Sequence, residues 1–490
     1  MGQDTTLNLI TENEYIGADS TPLAPPRSIG LISLISIGFF LVSGGPFGIE
    51  GSVSSGSYVY VLLTFILLPI FWCIPLGLIT AELSLMVNKD GGCSVWAEKA
   101  FGEYFSLSLG LFSWFATMVD LSLYPLLFVQ YYSSSFTGSK DASSDWAGGI
   151  EQCQHCRLLM AFAVIIIIVL MNCWGAEQVG IFSTILSITL LSPFIIMVAM
   201  GIGHVNLGQV LSVDGGMRSF KEVQWGTLIV TVVWSYSGFD AFGQLAGEIK
   251  NPKRNYPIGV VAVMVVTILV YILPLLVGMQ YEKDYKNWYD GEFSDVASKV
   301  GGQWLNILMC VGGMASSLGL FQANLCTSSR NLYSLSLRGY VPNFFSKLLP
   351  RRETPFIAII TNAVVVGLLT LMPFQAILNL DMSIYSIVAA LECIIYIKLY
   401  IWNPDYDRPY KAINTRWLLP FMATPMIFTG LILILAPWDN QWKTMVAVAF
   451  NLAIVLSRYI LNRYRARKTK KNNESLDYEQ ESFIKKYSIN

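Results

Sequence analysis

Histidine is nearly missing from this chain: there are two in 490 residues, His155 and His204. They are too few for a histidine metal centre or for an imidazole base within an apolar segment. No glycine-rich loop ends in Lys-Ser or Lys-Thr, so direct ATP hydrolysis is not expected. No enzymatic activity and no cofactor are called for. Charge is also scarce, at 13% of residues where a soluble chain carries about a quarter. The formal sum of −1 points to no nucleic-acid partner. The stretch before Arg27 lacks the charged-then-apolar order of a signal peptide, so the first apolar segment is expected to serve as its own insertion signal. Eight cysteines make no disulfide framework, because Cys73, Cys173, Cys310, Cys326 and Cys393 sit in apolar runs and act as small hydrophobes. Cys153 and Cys156, either side of His155, are the one plausible pair. They are too few ligands for a closed zinc site, which leaves a local bridge or no chemistry.

What the chain has instead is apolar length, with 54% hydrophobic residues and a mean hydropathy of +0.52. Runs of roughly 20 apolar residues, the length a bilayer core requires, recur about twelve times. They fall at 29–57, 58–86, 104–133, 158–174, 177–201, 225–248, 258–280, 304–335, 356–372, 377–401, 418–437 and 444–461. The expectation is an all-α, polytopic membrane domain over 29–462. An N-terminal tail (1–28) precedes it, and a basic, disordered tail (463–490) follows. Lys and Arg gather in loops of one parity, as at Arg27, Lys89, Lys99, Lys250, Lys253, Arg254, Arg338, Lys347, Arg351, Arg352, Arg408, Lys411, Arg416 and Arg463 to Lys471. By the positive-inside rule both termini are cytoplasmic. The opposite parity holds the more acidic loops with Asp141, Asp145 and Glu151, and with Glu282, Asp284, Asp290, Glu292 and Asp295.

Two apolar segments are interrupted. The first breaks at Gly44-Gly45-Pro46-Phe47-Gly48-Ile49 and then carries Glu50. The sixth breaks at Tyr236-Ser237-Gly238-Phe239 and then carries Asp240. Irregular backbone at membrane depth is tolerated only where it is buried in protein or lines a cavity. Two breaks five segments apart fit inverted five-helix repeats, at about 29–201 and 225–401, with a binding site between them. A secondary transporter, a channel and a receptor all remain open on this reading.

The half-helix after a break offers free N–H groups and a positive dipole end, a natural seat for a carboxylate. Here Pro46 removes one donor and Glu50 competes for the others, so the seat favours an ammonium group. Capping is the plainer alternative for Glu50, but a cap does not need a full charge in lipid, so Glu50 is read as a substrate ligand; Asp240 is either a cap or a substrate or proton ligand. Asp120, in the third segment with Tyr124 nearby and no Lys or Arg to pair with, reads as a cation or proton site. Glu392 and Lys398 in the tenth segment lie on different helix faces, so Glu392 is either a distal ammonium ligand or a structural hydrogen-bonding group. Glu82 and Glu248, near segment ends, read as gating or coupling groups, and Tyr236 and Phe239 as pocket walls.

Taken in order, Gly44 to Glu50, Leu78-Ile79-Thr80-Ala81-Glu82-Leu83, Gly91-Gly92 with Trp96, and Asp120 with Leu123-Tyr124-Pro125 resemble the amino acid, polyamine and organocation transporter superfamily. Ser237-Gly238-Phe239-Asp240 with Ala246-Gly247-Glu248, Asn251-Pro252-Lys253, Arg338-Gly339-Tyr340-Val341-Pro342, Leu391-Glu392 and Arg408-Pro409-Tyr410 continue the likeness, which is strongest to the polyamine uptake branch. The resemblance implies a LeuT-like fold in the plasma membrane and proton-coupled uptake of a cationic small molecule, a polyamine. It departs at Asn324, close to Gln322, where an acid is expected. The fifth segment also has no lysine to stand in for an ion. An amino acid permease for cationic or neutral substrates is the alternative, and oligomeric state is left open.

Overall fold

The structure is a computed structural model that describes residues 27–87, 91–137, 154–210, 219–289, 291–350, 352–403, 405–435 and 441–463. The predicted disordered tails, Lys89, Asp290, Arg351 and the loop bearing Asp141, Asp145, Glu151 and Cys153 lie outside those residues. Cys156 is disulfide-bonded, and Cys73, Cys93, Cys173, Cys310, Cys326 and Cys393 are free.

Hydrocarbon offers no partner for a peptide group, so a chain this apolar satisfies its backbone within helices. Among the described residues, nine helices are long and apolar enough to cross a bilayer, and Leu31–Val42 and Phe356–Leu369 are shorter apolar helices. The interrupted sixth segment brings nine and two to twelve crossings, matching the sequence reading. The third span is Glu103–Tyr132, the seventh Pro252–Tyr281, the eighth Gln303–Leu337 and the tenth Ala376–Trp402. Large apolar side chains face outward, among them Ile188 (65% exposed), Leu368 (65%) and Ile434 (76%). Such a surface is stable only against lipid. The interior instead collects small and hydroxylated residues, so that Ser316, Ser317, Ser328 and Ser329 of the eighth span are all buried.

The first span stops at Val42, leaves the helical path, and resumes at Glu50. Ser57, at φ 68°, then folds the chain back into the second span. In the sixth span, Trp225–Ser235 is α-helical, but the second half, Phe239–Glu248, is a 3₁₀ helix where an α-helix was expected. The tighter spiral eclipses side chains three apart, and Phe239 and Phe242 accordingly stack with centroids 6.3 Å apart and planes at 10°. At about 2 Å of rise per residue, Asp240 and Glu248 stand roughly 16 Å apart along the axis rather than the 12 Å of an α-helix.

The two interrupted spans lie against each other. They are five crossings apart, so they run in opposite directions. At one end Ile29 donates its N–H to the Glu248 carbonyl (3.0 Å) and accepts from the Lys250 N–H (2.9 Å). At the breaks Gly238 adopts φ +98°, and a Cβ built there would stand 2.0 Å from the Leu41 carbonyl oxygen. Only glycine meets both conditions. Gly238→Ala is therefore expected to destabilise the protein by more than about 2 kcal/mol and to lower its thermal midpoint in detergent. Gly430→Ala, whose Cβ would meet nothing within 4 Å, is expected to leave the midpoint unchanged.

Candidate functional site

The peptide groups freed at the breaks find hydroxyl partners. Ser43 Oγ accepts the Gly45 N–H at 3.1 Å and donates to the Tyr271 hydroxyl at 2.8 Å. Tyr271, from the seventh span, donates in turn to the Ser235 carbonyl at 3.0 Å, so one side chain ties the two breaks together. The Gly44 carbonyl accepts from Ser316 of the eighth span. Gly238 donates its N–H to the Tyr385 hydroxyl at 2.7 Å, and Tyr385 donates to Asp240 Oδ1 at 2.8 Å.

Beside these contacts lies a cavity of about 60 Å³. Its apolar wall is Leu41, Val42, Phe47, Ala116, Leu320 and Met382, with Trp234 and Tyr271. Its polar wall includes Thr117, Asp120, Tyr124, Ser235, Ser237, Asp240, Asn324, Asp381 and Tyr385. Among the described residues, no Lys, Arg or His lines it. Asp120 is half-buried. Its Oδ2 accepts from Tyr124 at 2.5 Å, and its Oδ1 lies at 3.5 Å from Trp234 Nε1. The charged groups of the cavity are thus carboxylates, and those of Asp120 and Asp240 are held by neutral donors.

Eight residues singled out in the sequence line this cavity: Gly44, Phe47, Asp120, Tyr124, Ser237, Gly238, Asp240 and Asn324. Gly45, Pro46, Glu50, Tyr236, Phe239 and Glu392 do not. Glu50 is wholly buried, and its Oε2 accepts the Gly48 N–H at 2.7 Å, closing the start of its own half-helix. Tyr236 and Phe239 are also wholly buried. The Tyr236 hydroxyl donates to the Phe65 carbonyl at 3.0 Å, and Phe239 packs on Phe242. Glu392 is 1% exposed, while Lys398 of the same helix lies 3.8 Å from the centroid of the Phe101 ring. Gln322 turns away, donating to the Val179 carbonyl at 3.2 Å, whereas Asn324 bonds the Leu320 carbonyl at 3.2 Å within its own helix.

Glu82 and Glu248 belong to a separate layer of buried ion pairs. Glu82 meets Arg408, the Tyr396 hydroxyl (2.9 Å) and the Ala412 N–H (2.9 Å). Glu248 meets Arg330 of the eighth span, which also donates to the Cys326 carbonyl at 2.8 Å. At the opposite end, outside the seventh span, burial pushes the Glu282 carboxyl up. Lys299, Asn287 and the Asp284 N–H outweigh that and hold it below the usual carboxylate range.

Asp381, Tyr385, Tyr271, Arg330 and Arg408 were not among the sequence candidates. Asp381 was open to the rule that picked out Asp120, being an acid with no basic residue within a helical turn in an apolar span.

The amino acid permease family matches residues 29–457. A polyamine transporter of Oryza sativa subsp. japonica is 31% identical over 433 residues, covering 87% of this chain and 78% of its own. A polyamine transporter of Arabidopsis thaliana is 28% identical, with 87% and 84% covered. An aspartate-proton symporter of Bacillus subtilis is 24% identical, with 86% and 80% covered.

Tyr385→Phe removes a hydroxyl that serves both a buried N–H and a buried carboxylate. It is expected to cost about 1–3 kcal/mol, read as a lower thermal midpoint in detergent, with the helical content unchanged by circular dichroism.

Proposed function

The chain belongs to the amino acid permease family, and on that footing we propose that it is a secondary active transporter that carries polyamines together with protons. The observation that carries this reading is the sign of the cavity: Asp120, Asp240 and Asp381 line it, with no basic residue among the described residues of the lining. Carboxylates gathered in one place disfavour each other's ionisation, and burial disfavours it further. A cation reverses both effects, and protons provide the alternative neutralisation. Three acids allow both at once: a cation displaces protons from the acids it contacts, while a remaining acid keeps the proton that travels with it. The apolar walls suit the methylenes of an alkyl amine. The two polyamine transporters similar along most of the chain support this choice over an amino acid substrate.

Glu50, engaged with the Gly48 amide, occupies the place where a substrate carboxylate would bind the half-helix, which also disfavours an amino acid there. Glu82 and Glu248, paired with arginines, act as gating groups. The Ile29–Glu248 backbone tie must part when their end of the bundle opens. Basic loops containing Lys250, Lys253, Arg254, Lys411 and Arg416 support a cytoplasmic position for that end and for both termini, and the family resemblance favours the plasma membrane.

In proteoliposomes, labelled 1,4-diaminobutane is expected to accumulate under an inward proton gradient and to stop accumulating when a protonophore is added. Spermidine should compete, whereas arginine, lysine and leucine should not. Asp120→Asn is expected to reduce uptake at least about tenfold, corresponding to about 1.4 kcal/mol. Competition by leucine as strong as that by spermidine would move the assignment to the amino acid substrates of the family.

A further inference from the structure

We propose that Asp381 is a second ammonium ligand of the cavity, so that the site selects molecules with two charged nitrogens over molecules with one; this rests on the cation-transport reading above. Asp381 lies in the tenth span, lines the cavity and is 2% exposed. It differs from its neighbours in what it lacks. Asp120 is held by Tyr124, and Asp240 by Tyr385, whereas Asp381 Oδ2 is buried with no hydrogen-bond partner among the described residues. A buried carboxylate oxygen with no donor costs more than a satisfied one. It persists where a ligand supplies the missing donor. An ammonium group supplies both the donor and the opposite charge.

Asp381 also shares its helix with the residue that holds Asp240. Tyr385 follows Asp381 by four residues on the same helix, hence on the same face and about 6 Å along the axis, and Tyr385 holds Asp240. Asp381 and Asp240 therefore share one cavity wall with Tyr385 between them in the lining. The nitrogens of an extended 1,4-diaminobutane are roughly 6 Å apart, being joined by five single bonds of about 1.5 Å in zigzag, which lets one molecule serve two acids of the same cavity. One nitrogen meets Asp240 and the other Asp381, with the four methylenes crossing the Tyr385 ring and the Met382 side of the cavity. A monoamine occupies only one of the two positions and leaves the other acid unserved.

The test is equilibrium binding to the purified full-length protein of 1,4-diaminobutane and of 1-aminobutane, which has the same chain and one nitrogen. Wild type is expected to prefer the diamine at least about tenfold. Asp381→Asn is expected to abolish that preference by weakening the diamine alone, and retained 1-aminobutane binding shows that the variant is folded. A preference that survives in Asp381→Asn overturns the proposal. So does an equal loss of both ligands, which marks Asp381 as structural. Asp381→Glu advances the carboxylate by one methylene and is expected to shift the preferred diamine, among a series from three to six carbons, towards a shorter chain than wild type prefers; an unmoved preference overturns the assignment even if the Asn variant does not fold. Wild type that binds both amines equally well defeats the role of Asp381 and leaves cation transport standing. Wild type that binds neither defeats both.

Discussion

A peptide group at mid-membrane depth has no water to turn to, and the two interrupted helices place several there. Each unpaired group costs several kcal/mol in hydrocarbon, so the breaks at 43–49 and 236–238 require partners from the surrounding spans. Tyr271, Ser316 and Tyr385 from the seventh, eighth and tenth spans meet that need. These are also the spans that wall the cavity. The position of the cavity thus follows from the requirement to satisfy broken backbone. The Gly238–Leu41 approach fixes how closely the two breaks lie.

Charge is sorted by depth on this scaffold. Glu82 and Glu248 are buried with arginine partners. Removing one partner from such a pair is costly, typically about 3–5 kcal/mol, which suits a latch that opens only in a concerted movement. Asp120 and Asp240 receive only neutral donors, and Asp381 Oδ2 receives none among the described residues, so their environment stays deficient in positive charge until a ligand or protons arrive. A single protein therefore holds one set of acids locked and another available. Glu392, buried but outside the cavity lining, falls in neither set.

Much of the architecture is legible in the sequence because lipid enforces a simple rule: twelve apolar stretches become twelve crossings, and two Gly-rich interruptions become two breaks. The reading falters where side-chain direction decides. Glu50 follows its break directly, as Asp240 does, yet Glu50 turns back to the Gly48 amide while Asp240 faces the cavity. Nothing in a linear motif distinguishes those outcomes. The 3₁₀ path of 239–248 is similarly hidden, since it depends on Gly38 and Gly243 admitting Phe242 and Trp96 at close range. Asp381 and Arg330 were visible as charges within apolar spans. Their partners, or the absence of one, became apparent only once the eighth and tenth spans had been placed beside the sixth.

The central claim is that a cation and protons compete for the same carboxylates. Titration calorimetry of 1,4-diaminobutane binding to the purified protein, repeated at one pH in buffers of different ionisation enthalpy, measures the protons exchanged on binding. An ammonium group favours the ionised carboxylate, so net proton release is predicted, diminishing as the pH is raised until the acids are already ionised. Binding with no proton exchange at any pH, or with proton uptake, would contradict it.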